Sequence, residues 1–242
     1  AGLLAPDIQA VATTSTSSVS LTNGDTNWTT TLTGTGGLFV GTDVLPNTNG
    51  ALGNSSTPLL ITAASTLGLS GQITFGRDIV TTAASTILGN TVNTAKVTSG
   101  ISLGGTLTLL AITTGRLEMR GSITGAQALV IGSTAATAPL NNGVVYFGAD
   151  ANGYSSNNYT GGVTLNNARV VVGADSLYSG APGALTIISG PFGTGALTFG
   201  AGNSNTGGFI GSDGANRIIA NALAALATVA TLPMTFEGRG NL

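Results

Sequence analysis

The residues with the most chemistry to offer are nine carboxylates: Asp7, Asp25, Asp43, Asp78, Asp150, Asp175, Asp213, Glu118 and Glu237. A polysaccharide-cleaving site needs two or three of them together, because glycoside hydrolysis takes an acid and a base or nucleophile within several ångströms. Asp150 and Asp175 are the candidates. They lie 25 residues apart, about one coil of a β-solenoid, so they could stack. Bare carboxylates stacked this way repel, so a shared cation could sit between them. The plainer reading, adopted here, makes them separate corner residues closing local Asx turns. Gly207-Gly208-Phe209-Ile210-Gly211-Ser212-Asp213 is similar to a G-G-x-G-x-D calcium nonapeptide with one extra residue. Calcium rolls repeat that motif in tandem, and a single broken copy reads as a turn. No catalytic, cofactor-binding or metal-ligating residue is therefore assigned, and no cofactor is expected.

The missing residue types narrow the function further. The chain has no histidine and no cysteine, so Ser-His-Asp triads, thiolate chemistry and the common zinc sites are absent from it. Serine and threonine abound, but no base is available to activate one. Asn27-Trp28-Thr29, Asn54-Ser55-Ser56 and Asn158-Tyr159-Thr160 are acceptor sequons. In a chain so rich in Asn and Thr they arise by chance. Trp28, Tyr146, Tyr154, Tyr159 and Tyr178 could stack on sugars, and core or corner packing is the competing reading. The net charge is −2, with one lysine, Lys96, and six scattered arginines. That is not the basic patch a nucleic-acid binder needs. Arg116, Glu118 and Arg120 share a strand face by their spacing. They read as a solvated trio with cross-strand pairing, and an anion site is the sharper alternative.

The elements that must position these residues are strands. Only 7% of residues are charged and 42% are apolar, which is too hydrophobic for disorder. Gln72-Ile73-Thr74-Phe75, Thr106-Leu107-Thr108-Leu109, Ala184-Leu185-Thr186-Ile187 and Ala196-Leu197-Thr198-Phe199 put threonine on one face and a large apolar residue on the other. That is the period-2 signature of a half-buried strand. Most are bounded by glycines that supply corners. Val144-Val145-Tyr146-Phe147 and Val170-Val171-Val172 read as strands buried on both faces. Ala220 to Leu232 is the ambiguous stretch: Leu223, Leu226 and Ala230 have helical spacing, whereas Thr228, Val229 and Thr231 are β-branched and favour strand. The apolar run from Ile218 to Leu232 is too short to span a bilayer, which takes about 18–20 residues, and no transmembrane segment is expected. The opening Ala-Gly-Leu-Leu-Ala lacks a basic n-region, so a mature or trimmed chain is expected. Hairpin signals such as Asn-Gly between paired runs are few. The expected fold is therefore all-β, a parallel β-helix (β-solenoid) of coils about 20–25 residues long, about ten coils in all, on the order of 50 Å in length. No composition break divides 1–242, so a single solenoid, or a fragment of a longer array, is expected.

The segment Asn158-Tyr159-Thr160-Gly161-Gly162-Val163-Thr164-Leu165-Asn166-Asn167-Ala168-Arg169-Val170-Val171-Val172-Gly173 resembles the passenger-associated repeat of autotransporter-type surface proteins. Gly183-Ala184-Leu185-Thr186, Phe192-Gly193-Thr194-Gly195-Ala196-Leu197-Thr198-Phe199 and Asn216-Arg217-Ile218-Ile219-Ala220-Asn221-Ala222-Leu223 continue in that style. Gly240-Asn241-Leu242 looks like the start of one more strand. Val163 and Ala168 depart from the usual Thr and Gly. The resemblance is good over about 140–242 and loose before it. It implies a right-handed β-helix, export and display at the outer-membrane surface or outside the cell, and no single activity. The expectation is a non-enzymatic, extracellular or cell-surface structural protein whose ends or sides associate with other copies into a fibre or layer. An adhesin that binds glycans or surfaces is the alternative, and a polysaccharide-active enzyme ranks last.

Overall fold

The computed structural model describes residues 8–10, 30–34, 36–41, 43–44, 56–90, 92–112, 114–133, 143–149, 153–181, 183–200, 209–225 and 235–237. Three parallel sheets run through them. The first stacks Ile8–Ala10, Thr30–Leu32, Leu59–Ile61, Ile79–Thr81, Ile101–Leu103 and Ile123–Gly125. The second stacks Gly37–Val40, Thr66–Leu69, Ser85–Gly89, Leu107–Ala111, Leu129–Gly132, Val163–Asn166, Leu197–Phe199 and Leu223–Ala225. The third stacks Thr74–Phe75, Thr94–Val97, Arg116–Met119, Val144–Gly148, Arg169–Gly173, Phe209–Ser212 and Thr235–Glu237. From Leu59 to Phe147 the chain visits the three sheets in turn and returns to the first one coil further on. This is a parallel β-helix, as the strand spacing predicts.

The coil length follows from the register. Ile79 pairs with Ile101 and Ile101 with Ile123, while Ser85 pairs with Leu107 and Leu107 with Leu129. Each step is 22 residues, the separation also bridged by Gly100 N–H to Asp78. Equal steps bring like residues onto like. Inside the coil, Leu59, Ile79, Ile101 and Ile123 form one column and Leu107, Leu129, Val163 and Leu197 another, all buried. Burial of each such side chain contributes about 1.5–3 kcal/mol, and one hydrophobic cluster runs from Leu32 to Ile210. Outward, Thr66, Thr86, Thr108, Thr164 and Thr198 lie in one half-buried column of the second sheet, interrupted by Val130.

After Gly125 the coil lengthens. Leu129 pairs with Val163 and Val163 with Leu197, steps of 34 residues, as Ile123 and Asn157 also mark. In the first sheet's place the backbone continues to bond coil to coil without regular strands. Asn158 N–H donates to Ile123 O at 3.0 Å and Thr160 N–H to Gly125 O at 3.0 Å. Thr194 N–H donates to Tyr159 O at 2.9 Å. The extra residues between these levels leave the coil as an antiparallel pair, Leu177–Ser179 with Thr186–Ser189.

Two sequence readings meet this geometry differently. Leu223–Ala225 of the ambiguous stretch is a strand, stacked on Leu197–Phe199; residues 226–232 lie outside the described residues. Ala184-Leu185-Thr186-Ile187 was expected as a half-buried strand of the coil and is not one. Its residues belong to the projecting hairpin, where Leu185 and Thr186 are exposed. Alternation reports two chemically different faces, and here no inner column stands behind the apolar one.

The stack also fixes where glycine is needed. A Cβ on Gly121 would stand 1.7 Å from Ser99 O and 2.4 Å from its carbonyl carbon, in the coil below. At Gly41, by contrast, the nearest atom would be Ser70 O at 3.9 Å. Gly121→Ala should therefore destabilise the fold by about 1–3 kcal/mol or more, as overpacking does, and Gly41→Ala should change stability by less than about 0.5 kcal/mol. Urea unfolding of the two variants checks this; equal midpoints would contradict the stacking geometry.

Candidate interaction surface

The charged trio is brought together more tightly than a solvated one. Arg116 and Glu118 project from the strand Arg116–Met119 of the third sheet, beneath Tyr146 in the next, and Arg120 follows directly after it. Glu118 is only 5% exposed. Its Oε2 accepts from Arg120 Nε at 2.7 Å, and its Oε1 lies 3.0 Å from Arg116 Nε without the alignment of a hydrogen bond. The Arg116 guanidinium carbon sits 3.8 Å over the Tyr146 ring centroid, and that of Arg120 5.4 Å from it. The hydrogen bond to Glu118 pushes the Arg120 pKa up. Both guanidiniums thus engage one carboxylate and one ring; their side chains are 38% and 42% exposed, so of the trio only Glu118 departs from the solvated reading.

The other candidates are also committed to structure. Asp150 and Trp28 lie outside the described residues. Asp175 Oδ1 accepts the Ile218 N–H at 2.9 Å. Gly207 and Gly208 are likewise outside the described residues, but Phe209–Ser212 is a strand and the Asp213 that follows is clasped by Arg217: Nε to Oδ1 at 2.9 Å and Nη2 to Oδ2 at 2.7 Å. Arg217 also lies 4.0 Å from Asp175. The Asp213 carboxyl is held below the usual aspartate range, first by that hydrogen bond. Beside Asp78, whose carboxylate caps Gly100 N–H at 2.8 Å, a shallow groove of about 230 Å³ runs past Ser102, Ser122 and Thr124. It offers one carboxylate, where hydrolysis needs two.

The motif residues act as stitches between coils. Asn158 is exposed; the side chain turned inward is that of its neighbour Asn157. Asn157 Oδ1 accepts from Ile123 N–H at 2.8 Å and its Nδ2 donates to Pro191 O at 3.3 Å. Two coils on, Asn221 Nδ2 donates to Gly195 O at 2.7 Å and Gly193 O at 3.2 Å. Tyr159 is fully buried, and burial pushes its pKa well up; its hydroxyl has no hydrogen-bond partner. Gly162 takes φ +75° with Ala196 O only 2.7 Å from where a Cβ would stand, so the Gly-Gly pair is required by stacking. Of the five aromatics weighed as sugar platforms, Tyr146 and Tyr159 are buried, and Tyr154 and Tyr178 are exposed.

The surface that is left unburied lies around the hairpin. Eight large hydrophobic residues are exposed among the described residues. Four are on the hairpin: Leu177 at 37%, Tyr178 at 39%, Leu185 at 45% and Ile188 at 51%. Tyr154 bridges Asp175 just before it, and Ile218 O accepts Ser176 N–H at its base. The hairpin's foot is firm: Ser176 is buried, its Oγ accepts Ala220 N–H at 3.2 Å, and Gly190 N–H donates to Asn157 O at 2.9 Å. Sequence reading missed this site because Leu185 and Ile187 alternate with neighbours as coil strands do. The signal that could have found it is the pair Gly180 and Gly183, which turn the chain back at φ +100° and +90°.

Comparison with family models, with curated proteins and with solved structures found no match.

Two outcomes follow from the stitches. Tyr159→Phe removes a buried, unpartnered hydroxyl and should leave the protein as stable or up to about 1–3 kcal/mol more stable, while Tyr159→Ala should cost about 3–5 kcal/mol; chemical denaturation measures both. The Asp213 carboxyl is held low, so its stabilising contribution is full at neutral pH and is lost as pH falls through the ordinary aspartate range and below. Arg217→Ala should therefore flatten the acid limb of a stability–pH profile, and an unchanged limb would remove the clasp from the account.

Proposed function

We propose that this chain is an extracellular or cell-surface structural protein, a non-enzymatic β-helical rod that self-associates. The carrying observation is the gathering of exposed apolar side chains around one hairpin on an otherwise continuous stack. Exposed apolar patches rimmed by polar surface mark interaction sites. The charged groups that could have served chemistry are engaged instead: Glu118 with two arginines, Asp213 with Arg217, Asp78 and Asp175 with backbone N–H groups. The low charge of the chain supports association, since little repulsion opposes contact between copies. The resemblance of 140–242 to autotransporter passenger repeats supports export and surface display.

A second reading, an adhesin that binds glycans, is favoured by one observation: Tyr154, which bridges Asp175 at the hairpin's foot, and Tyr178 on the hairpin are both exposed. Exposed tyrosine rings are suited to stacking on a sugar ring.

Light scattering across a concentration series, with negative-stain electron microscopy, tests the first reading. Mass that rises with concentration, or ordered assemblies on the grid, is the expected result. A protein that stays monomeric throughout while binding a glycan array through Tyr154 and Tyr178 would replace self-association with the adhesin.

A further inference from the structure

We infer that the hairpin Leu177–Ser179/Thr186–Ser189 is a two-fold pairing edge, and that its occupant is the same hairpin of a second copy. The inference rests on the self-associating reading above and names its surface and symmetry.

The hairpin forms a two-stranded sheet of its own. Each strand therefore has one ladder neighbour and one outer edge. One face is open: every residue of Leu177–Ser179 is exposed, and so are Thr186 and Ile188, while Ile187 and Ser189 on the other face are half-buried. A two-stranded hairpin is marginal in water on its own, and this one carries four of the exposed large hydrophobics. Its foot is held by the coil, and no third strand pairs with it among the described residues. Thr186-Ile187-Ile188-Ser189 is β-branched at its centre, the composition that suits strand pairing, and an open strand of that kind is a template for another chain.

Charge selects the partner. Residues 176–190 contain no Asp, Glu, Lys or Arg. The charges nearest to this segment lie at the foot, where Asp213 at 2.7 Å and Asp175 at 4.0 Å share Arg217, so the surplus negative charge sits off the blade. An isologous contact sets each residue against its own copy across a two-fold axis, so any unmatched charge in the patch would meet itself. This patch has none on the blade. Antiparallel pairing of one Thr186–Ser189 edge with its symmetry mate satisfies both backbones. It joins the two hairpins into a four-stranded sheet and brings the two Ile188 side chains close together. A charged or peptide-specific partner would leave this uncharged edge without complement.

The test uses the intact chain. Sedimentation velocity should show the wild type as a concentration-dependent dimer, and Ile188→Lys should weaken dimerisation by about tenfold or more, because it sets like charges together at the axis. Val92→Lys, at a position 67% exposed elsewhere on the coil, should leave it unchanged. The chain has no cysteine, so Ile188→Cys introduces a single thiol; a short bismaleimide should link it into a covalent dimer and fail to link Val92→Cys. If the wild type associates but Ile188→Lys associates equally and Ile188→Cys does not cross-link, the hairpin edge is overturned while self-association stands. If the wild type is monomeric at every concentration, both fall, and binding of the hairpin to neutral phosphatidylcholine vesicles or to glycans would identify the different occupant.

Discussion

The structure depends on one distance. Adjacent coils of a parallel β-helix lie about 4.8 Å apart along the axis, and at that spacing a backbone hydrogen bond is made or lost at every position. Side chains inside the coil must then stack on the same kind of side chain above and below, as Ile79, Ile101 and Ile123 do. Corners must bring backbone against backbone. At Gly121, Gly161 and Gly195 a Cβ would stand within about 2.5 Å of main-chain atoms one coil away, closer than non-bonded carbon allows. Glycine at these corners is a consequence of the stacking distance.

The same distance explains what the polar side chains do. Where coils repeat evenly, main-chain ladders satisfy the backbone. Where the coil lengthens, the first sheet loses its regular strands, and amide side chains take over part of the bonding. Asn157 reaches down to Ile123 N–H and up to Pro191 O, spanning three levels with one side chain. Asn221 gathers carbonyls of Gly193 and Gly195 through its Nδ2 alone, and its Oδ1 has no hydrogen-bond partner. Buried backbone groups need partners, and asparagine, which carries both donor and acceptor, suits a place where the ladder is irregular.

The regular part of this was legible in the sequence and the irregular part was not. Thr106-Leu107-Thr108-Leu109 and Ala196-Leu197-Thr198-Phe199 announce an inner and an outer face, and both are strands of the second sheet. The Gly195 that bounds the second of these announces a corner, and a Cβ there would stand 2.5 Å from Gly162 N. Periodicity, however, reads one strand at a time, while a stitch such as Asn157 is defined by partners 34 residues away in both directions. Glu118 was read as solvated because its arginine neighbours are visible along the strand. Tyr146, the ring that closes over the group, comes from the next coil after a longer interval and leaves no local trace. The hairpin was misread for the converse reason. Its alternation is genuine, but no inner column of the coil stands behind Leu185, which is exposed, or Ile187, which is half-buried.

The hairpin is where the stacking constraint is released. A residue inside the coil answers to two neighbours along the axis, so substitutions there are limited to shapes that stack. Among the described residues, Leu177–Ser179 and Thr186–Ser189 pair only with each other, and their foot is held at Ser176 and Gly190. An insertion between two levels can lengthen or change without disturbing the inner columns, because Leu129, Val163 and Leu197 still meet across it. Such freedom usually yields polar loops. Here the freed segment has kept Leu, Tyr and Ile at exposed positions and carries no charge. Stacking does not require those side chains. The coil holds them as an apolar edge at a fixed point along its length.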